Sequence, residues 1–235
     1  MLIIPTYNER ENIASLVTRI RNAVGTEPIF FVDDNSPDGT ANEIRHIQER
    51  DPDVHLMARA GKGGYGSACR DAMKKIIQQN LADYVIQSDA DLSHPPELLP
   101  RMLQLLKMYP VVIGSRYVAG GGAKNWSISR RVLSFGANLY ARLFTGVPVH
   151  DMTAGFVGYQ TDVLRKINLD EIRSEGYAFL MEMKFNLHRS GTSFCEFPII
   201  FSERESGNSK FDQKILLEGV RFPLKAFVRR ISGVS

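Results

Sequence analysis

The sequence has few of the residues that stabilise small secreted or zinc-binding domains. Its 235 residues include only two cysteines, Cys69 and Cys195, which are too few and too isolated for a disulfide framework or a zinc site. The N-terminal residues have no basic start, no long apolar core and no small-residue cleavage site, so they do not predict a secretory leader. These absences suit a reducing compartment, and we expect a cytoplasmic protein.

Long apolar runs and strong net charge are also missing. No stretch approaches the roughly 20 apolar residues that cross a bilayer, so any membrane contact should be peripheral. The formal net charge is +3 and the basic residues are spread along the chain, which favours no nucleic-acid partner. With 43% hydrophobic and 23% charged residues, the composition is that of a globular protein that can bury a core.

Short β-branched runs alternate with helical patterns over the first 115 or so residues. The alternation predicts βαβ units and therefore an α/β protein with a doubly wound, mostly parallel sheet. The predicted strands are Leu2–Pro5, Pro28–Asp33, Val54–Ala58, Tyr84–Ser88, Val111–Ser115, Ala154–Tyr159 and Ser193–Pro198. The predicted helices are Glu11–Ala23, Ala41–Arg50, Gly66–Gln79, Glu97–Met108, Ser129–Phe144 and Ala178–Arg189. Sheets of this kind bind ligands beyond the carboxyl ends of their strands.

Polar clusters follow three of the first four predicted strands: PTYNERENI, VDDNSPDGT and SDADLSHPP. Their acids Asp33, Asp34, Asp89 and Asp91 should be ionised at pH 7 unless they are buried unpaired, so a cation or hydrogen-bond donors must compensate them. If the chain stays extended, Asp89 and Asp91 lie on the same side about 6.6 Å apart. A hard divalent metal with phosphate oxygens would then be the natural partner.

Each cluster also has a purely structural interpretation. Asp91 or Ser93 could cap the helix that follows Pro95. The SPDGT stretch could be an ordinary turn in which Thr40 caps the next helix. Only the occurrence of several clusters at one predicted sheet edge favours a ligand site.

A competing motif points to another class of enzyme. Gly61, Gly63 and Gly66 match G-x-G-x-x-G between a predicted strand and helix, as in NAD-dependent dehydrogenases. However, the match follows the third strand instead of the first, and a dehydrogenase leaves Tyr7 and Glu9 without a role. The sequence motif therefore leaves a dehydrogenase as an alternative.

Eight motifs in order, IPTYNERENI, VDDNSPDGT, GKGGYGSA, DADLSHPP, GSRY, SRRVLS, DMTAGF and FSERESGNSK, resemble the dolichol-phosphate mannosyltransferases of glycosyltransferase family 2. The resemblance implies a GT-A catalytic domain over residues 1–211. It also implies inverting transfer of mannose from GDP-mannose to a polyprenyl phosphate, dolichyl or undecaprenyl. A UDP-glucose-dependent glucosyltransferase and a non-catalytic nucleotide-binding module remain alternatives.

The resemblance carries a donor and metal site onto the strand ends. The implied donor-binding residues are Pro5, Tyr7, Glu9, Val32, Asp34, Asp89, Ala90, Asp91 and Arg116. Asp91 is implied as the main ligand of Mg²⁺ or Mn²⁺, with Asp89 and Ser93 beside it. Ser93 stands where some relatives have a longer glutamine. Arg116 is expected to face the diphosphate, and its structural alternative is a surface salt bridge.

The resemblance also implies an acceptor site for the lipid phosphate. The residues carried over are Arg130, Ser134, Arg204, Ser209 and Lys210, and the implied catalytic set is Asp91, Arg116 and Arg204. Arginine suits this role because its planar fork pairs with two phosphate oxygens. A solvated charge is the alternative for Arg130 and Lys210. Asp151 and Glu182 are expected either to position the sugar or to be structural.

Residues 212–235 form a predicted amphipathic helix. Leu217, Val220, Leu224, Phe227 and Ile231 recur at helical spacing, with basic residues elsewhere. Such a helix could bind the cytosolic surface of a membrane, which would make the enzyme peripheral, or pack on its own domain. Some relatives use a separate membrane-anchoring subunit, so the resemblance adds such a partner to the expectations.

Overall fold

The computed structural model describes residues 1–202 and 213–232, with side chains described for 1–202 and 217–232. The strands of these residues are β1 (Leu2–Thr6), β2 (Ile29–Asp33), β3 (Val54–Ala58), β4 (Tyr84–Gln87), β5 (Val111–Ser115), β6 (Gly122–Ala123), β7 (Val157–Gln160), β8 (Phe194–Pro198) and β9 (Ile200–Phe201). The helices are α1 (Arg10–Val24), α2 (Thr40–Gln48), α3 (Tyr65–Gln79), α4 (Leu99–Leu106), α5 (Ile128–Thr145), α6 (Thr161–Leu164), α7 (Gly176–Arg189) and α8 (Gln213–Ser232). The predicted order of strands and helices is confirmed.

The main sheet of the described residues has the strand order β3-β2-β1-β4-β7-β5-β8. Strand β7 runs antiparallel between β4 and β5, and the other pairs are parallel. The predicted mostly parallel α/β sheet is therefore confirmed. Strands β6 and β9 form a separate short parallel pair near the end of β5, where the Ile199 N–H donates to the Ser115 carbonyl at 3.0 Å.

Alternation along the central strands divides the core between the two sheet faces. On β1, the side chain of Ile3 belongs to one hydrophobic cluster, while Leu2 and Ile4 belong to the other. Helices α3 and α7 cover the first face, and α1 and α4 cover the second. A strand buried on both faces needs an almost continuous apolar run, which explains the sequence of β1.

The parallel strands end at one edge and bring the polar clusters together there. Strands β1, β2, β4 and β5 point the same way, so Tyr7, Asp34, Asp89 and Arg116 all follow the carboxyl edge. Main-chain hydrogen bonds continue past the strands, since the Asp34 N–H donates to the Thr6 carbonyl at 3.0 Å. The fold thus converges its charged loops on one crevice.

Helix α8 packs against α5 and α7 through Phe222 and Ala226, which are buried. The strip predicted from the sequence faces outward, with Leu217, Val220, Leu224, Phe227 and Ile231 between 39% and 68% exposed. The helix is therefore docked on the protein and still presents apolar side chains to the outside. Within the described residues, no helix combines the length and apolar character needed to cross a membrane. The division at residues 211 and 212 stays a prediction.

Candidate active site

The two acids that end β2 have different surroundings. The Asp33 carboxylate is buried and accepts hydrogen bonds from the Thr6 hydroxyl at 3.0 Å and from the N–H and hydroxyl of Ser36 at 2.9 and 2.6 Å. These donors shape the turn, but the predicted cap is wrong, because α2 has Gly39 at its N-cap with no side-chain cap and the Thr40 hydroxyl donates to Asp38. The Asp34 carboxylate pairs with Arg59 and accepts the Gly64 N–H at 2.7 Å, so it fastens the glycine-rich segment to β2.

The glycine-rich segment does not form a dinucleotide cradle. The carboxylate of Glu175 accepts the N–H groups of Gly66 and Ser67 at 2.6 and 2.9 Å, at the N-terminus of α3. In a dinucleotide-binding fold such amides would face the diphosphate. Partial burial raises the pKa of Glu175, although these donors and the Arg70 guanidinium oppose the rise. The dehydrogenase interpretation is therefore not supported by this loop.

Glycine is required at Gly66 because the backbone of another segment passes close by. A Cβ added there would meet the Ser174 carbonyl oxygen at 2.7 Å, whereas a Cβ at Gly61 would meet nothing within 4 Å. We expect Gly66→Ala to lower the free energy of unfolding by about 1–3 kcal/mol through overpacking. Gly61→Ala, the matched control, should stay within about 0.5 kcal/mol of the parent in urea unfolding. Equal effects of the two substitutions would contradict this role of Gly66.

The segment after β4 corrects the predicted geometry of the acid pair. Strand β4 ends at Gln87 and the chain bends at residues 90–92, so it does not continue as an extended strand from Asp89 to Asp91. The predicted extended path between the two acids is therefore wrong, and their placement on the same side stays a prediction. Leu92, directly after Asp91, has a left-handed φ of 62° and turns the chain away from the acids.

Asp89 is oriented by two aromatic residues. The Tyr65 hydroxyl donates to Asp89 Oδ1 at 3.0 Å and accepts from Gln87 Nε2 at 2.8 Å. The Asp89 N–H donates to Nδ1 of His94 at 3.0 Å, which places the ring proton of neutral His94 on Nε2. The His94 ring also stacks on Phe156, with the ring centres 5.4 Å apart.

Asp91 and Ser93 are buried neighbours whose side-chain oxygens are of the kind that bind a hard metal ion. Asp91 is 4% exposed, and its Oδ1 accepts the Ser93 N–H at 3.1 Å. The Ser93 hydroxyl oxygen is buried and has no hydrogen-bond partner among the described residues. The same part of the chain contains no group of three or more acids, histidines or cysteines that could enclose a metal. The pair therefore suits an ion such as Mg²⁺, which binds one or two carboxylates together with substrate phosphates.

Arg116 is held by the turn that precedes β7. Its Nε and Nη2 donate to Asp151 at 2.8 and 2.7 Å, and Nη2 also donates to the Thr153 hydroxyl at 2.8 Å. The side chains of Arg116 and Asp151 are 10% and 0% exposed, so the surface salt bridge considered for Arg116 is instead a buried ion pair. Burial would raise the pKa of Asp151, but the charge and hydrogen bonds of Arg116 outweigh it, and the pKa is lowered.

The residues predicted to line the nucleotide pocket lie at the ends of β1, β2 and β4. The Lys62 ammonium lies 3.9 Å from the centre of the Tyr7 ring, and Glu9 accepts from Asn12 at 2.8 Å. Pro5 is half-buried on β1. Val32 and Ala90 are core residues, at 0% and 3% exposed, so their contact with a donor would have to go through the main chain.

The acceptor residues that can be located lie beside Arg116. The Arg130 guanidinium is exposed and lies 4.3 Å from the Trp126 ring centre, while Arg116 lies 5.5 Å from the same ring. Ser134 accepts the Tyr117 hydroxyl at 2.6 Å. The structure thus brings Arg116, Arg130 and Ser134 to one region. The predicted residues Arg204, Ser209 and Lys210 lie outside the described residues.

The sequence matches a known enzyme family over most of its length. The family described as Glycosyl transferase family 2 matches residues 1–168 of the chain. The chain belongs to glycosyl transferase family 2. It is a glycosyltransferase, and the dehydrogenase and the non-catalytic module are thereby excluded as its main function.

This family 2 glycosyltransferase resembles proteins from bacteria and yeast along most of its length. It is 41% identical over 220 residues to the undecaprenyl-phosphate mannosyltransferase of Micrococcus luteus, with 94% of this chain and 90% of the relative covered. It is 41% identical over 222 residues to the polyprenol monophosphomannose synthase of Mycolicibacterium smegmatis, covering 94% and 83%. The dolichol-phosphate mannosyltransferase of Saccharomyces cerevisiae is 32% identical over 226 residues, covering 92% and 82%.

Solved structures with the same fold support the GT-A prediction. Mannosyl-3-phosphoglycerate synthase from Rubrobacter xylanophilus gives a TM-score of 0.67 at 18% identity, covering 99% of this chain and 73% of that chain. Glucosyl-3-phosphoglycerate synthase from Mycobacterium tuberculosis, in complex with Mn²⁺ and UDP-glucose, gives 0.65 at 15% identity, covering 100% and 79%. At these identities the likeness concerns the fold, and it confirms the GT-A architecture of this glycosyltransferase.

Several residues that organise the site of this glycosyltransferase were missed by sequence reasoning. They are Arg59, Tyr65, Trp126, Glu175 and Lys184. Only Tyr65 lies in one of the eight motifs, GKGGYGSA, so the sequence gives a signal for this residue alone. Glu182 is buried and accepts the Arg173 and Ser174 N–H groups at 3.2 and 3.0 Å, which favours the structural alternative for this acid.

Proposed function

We propose that this glycosyltransferase transfers mannose from GDP-mannose to a polyprenyl phosphate, with inversion at the anomeric carbon. The observation that carries the proposal is the 41% identity, over 94% of the chain, to the Micrococcus luteus undecaprenyl-phosphate mannosyltransferase. The geometry supports it, because carboxylates suited to a metal and guanidinium groups suited to phosphate lie at one edge of the sheet.

In this proposal the nucleotide lies against Tyr7 and Asp34, and its diphosphate lies between Asp91 and Arg116. A bound Mg²⁺ or Mn²⁺, held by Asp91 with Ser93 and Asp89 beside it, would neutralise charge that develops on the leaving diphosphate. The orphaned Ser93 hydroxyl supports this assignment, as does the Mn²⁺ in the complex of the Mycobacterium tuberculosis structural neighbour. The Arg59 pairing of Asp34 keeps its carboxylate oriented toward the glycine-rich segment.

The acceptor supplies its own nucleophile. A phosphate monoester has a second pKa near 6, so at pH 7 it is largely a dianion and needs no strong general base. The protein has to hold this phosphate behind the anomeric carbon and stabilise charge as the donor bond breaks. Among the acceptor residues that the structure describes, Arg130 is the cation best placed to hold the lipid phosphate. Arg116 is fixed by Asp151 and is preorganised toward the diphosphate.

A lipid acceptor requires contact with a membrane, and α5 has a suitable surface. Apolar side chains three or four residues apart are exposed on this helix: Ile128, Val132, Phe135, Leu139 and Leu143, at 44% to 81%. Beside it, the exposed strip of α8 borders a groove lined by Arg221, Lys225 and Arg229. Apolar side chains next to cations suit the interface of an anionic membrane. We therefore propose a peripheral enzyme on the cytosolic face.

Removing the apolar face of α5 should release the protein from vesicles. We expect Ile128→Ser/Val132→Ser/Leu143→Ser to weaken partitioning onto phosphatidylcholine–phosphatidylglycerol vesicles by about 100-fold, since each side chain loses roughly 1 kcal/mol of apolar burial. Leu81→Ser/Met108→Ser is the control, because these side chains are also exposed but precede β4 and β5 at the other edge of the sheet. Co-sedimentation measures both variants. Unchanged binding of the triple variant would contradict the membrane face.

Donor choice is tested by thermal shift with GDP-mannose, UDP-glucose and NAD, each with and without Mn²⁺. A ligand that binds the folded state raises the melting temperature by mass action. The proposal expects the largest rise with GDP-mannose and Mn²⁺ together. A larger rise with UDP-glucose would replace mannose by glucose in the proposal, and stabilisation by NAD alone would contradict it.

A further inference from the structure

A buried lysine lies beneath the turn that holds Arg116. Lys184 is on α7 and is 0% exposed. Its ammonium donates to the carbonyl oxygens of Met152 and Ala154 at 3.1 and 2.9 Å, and to that of Leu180 at 3.4 Å. Two of these three acceptors belong to the turn at residues 151–154. The ammonium therefore ties the turn to the interior of the protein.

Successive residues of the turn contact Arg116 and Lys184 in alternation. The side chains of Asp151 and Thr153 bind the Arg116 guanidinium, while the carbonyl groups of Met152 and Ala154, one residue on in each case, bind Lys184. Any movement of the carbonyls away from Lys184 would shift the two side chains that hold Arg116. Lys184 thus holds the carbonyl side of the turn, while Glu196 accepts the Asp151 N–H at 3.0 Å and Asn138 accepts the Thr153 N–H at 3.2 Å.

The ammonium of Lys184 lies among charged groups from three elements. Asp151 of the turn and Glu196 of β8 favour its charged form, whereas Arg116 after β5 opposes it. Burial is the largest effect and lowers the pKa of Lys184 to about 8. A buried lysine that keeps a charge near neutral pH needs hydrogen-bond acceptors, and the main-chain carbonyls of the turn supply them.

We propose that Lys184 is a positioning residue for sugar transfer, which acts by holding the 151–154 turn so that Asp151 and Thr153 aim Arg116 at the donor diphosphate. The inference rests on the proposed function for the role of Arg116. A lysine that only stabilises the core would affect folding without acting through Arg116. The two cases differ in how the effects of substitutions at Lys184 and Arg116 combine.

A double-mutant cycle with Arg116→Lys and Lys184→Met tests the inference. Arg116→Lys keeps the charge and removes the fork, and Lys184→Met keeps the side-chain length and removes the donors. We expect each variant to lower kcat by about 30-fold, and the double variant to fall no more than about threefold below the worse single variant. Leu187→Ala on the same helix is the control, and its effect should multiply with that of Arg116→Lys. A Lys184→Met enzyme within about threefold of the parent, or multiplicative effects of the pair, would overturn the inference.

The pH dependence of kcat in the parent enzyme gives a second test, which does not depend on whether a substituted protein folds. Lys184 is charged below a pH of about 8 and loses its charge as the pH rises through that value, so kcat should fall on this alkaline limb. A kcat that stays constant from about pH 7 to 9.5 would overturn the inference. A parent with no transfer activity would instead contradict the proposed function. In that case the melting temperatures of the same four proteins would measure the coupling between Lys184 and Arg116. Additive changes in melting temperature would overturn the inference.

Discussion

Replacing Asp91 by Asn is expected to lower mannose transfer by about 10³-fold or more, with the fold intact. Asparagine keeps the shape of the side chain and an oxygen that can accept the Ser93 N–H, which Asp91 accepts at 3.1 Å. It removes the negative charge that would hold a divalent cation beside the donor diphosphate. Initial rates over a range of Mn²⁺ concentrations measure the effect, and circular dichroism shows whether the fold is retained.

The control for this substitution is Asp162→Asn on α6. Asp162 carries the same group but is 91% exposed, 3.6 Å from Arg165, so it should change transfer by less than about twofold. An Asp91→Asn enzyme that keeps more than about a tenth of the parent rate would remove the charge of Asp91 from the mechanism. Loss of transfer together with loss of the folded signal would point to a structural role.

Asp151→Asn is expected to lower the free energy of unfolding by about 3–5 kcal/mol, because it leaves the Arg116 charge largely buried without its counter-charge. Transfer should fall as well, since the turn would no longer fix the guanidinium through two charge-assisted bonds. Urea unfolding measures the first effect. Asp51→Asn is a matched control, because Asp51 also binds an arginine, Arg21, through two bonds.

The two ion pairs differ mainly in burial. Arg21 and Asp51 are 20% and 21% exposed, so their loss should be closer to about 1 kcal/mol. The pKa of Asp151 is lowered in the folded protein, so its stabilising effect is present above its unfolded pKa of about 4 and is lost as the pH falls through the lower folded value. The difference between parent and Asp151→Asn should therefore shrink in acid. Equal losses for Asp151→Asn and Asp51→Asn at pH 7 would contradict this account of burial.

The sheet and its polar edge could be predicted because their signals are local. The apolar run of β1 and the helical spacing of Ile13, Leu16 and Ile20 on α1 each reflect the faces that these elements bury. Parallel strands then place their carboxyl ends together whatever the loops do. For this reason the sequence alone predicts that the clusters at Asp34 and Asp89 lie at one edge, as the strand pairing shows.

The geometry within the site depends on contacts that are distant in sequence, and the sequence pattern did not reveal them. The chain bends at residues 90–92, and Asp89 is oriented by Tyr65, 24 residues away. Glu175, 109 residues from Gly66 in the sequence, accepts the Gly66 N–H. The G-x-G-x-x-G motif in this loop therefore has a structural partner that the sequence does not indicate. No periodicity encodes such pairings.

Burial of polar groups was the other property that composition could not predict. A lysine at helical spacing is normally expected at the surface, yet Lys184 is fully buried because main-chain carbonyls accept its ammonium. In the opposite direction, Val132 and Leu143 of α5 are apolar and remain 66% and 63% exposed. Their spacing predicted a helix but not that one of its apolar faces has no covering element in the described residues.

The most direct test of the central claim is transfer of labelled mannose from GDP-mannose to undecaprenyl phosphate by the purified chain on vesicles with Mg²⁺ or Mn²⁺. Mass spectrometry of the lipid fraction would identify the product, and omission of the metal or of the lipid phosphate would serve as controls. The account predicts a mannosyl-phosphoryl lipid of inverted anomeric configuration that forms only when donor, lipid and metal are all present. A product formed from UDP-glucose but not from GDP-mannose, or no lipid-linked sugar from either donor, would contradict it.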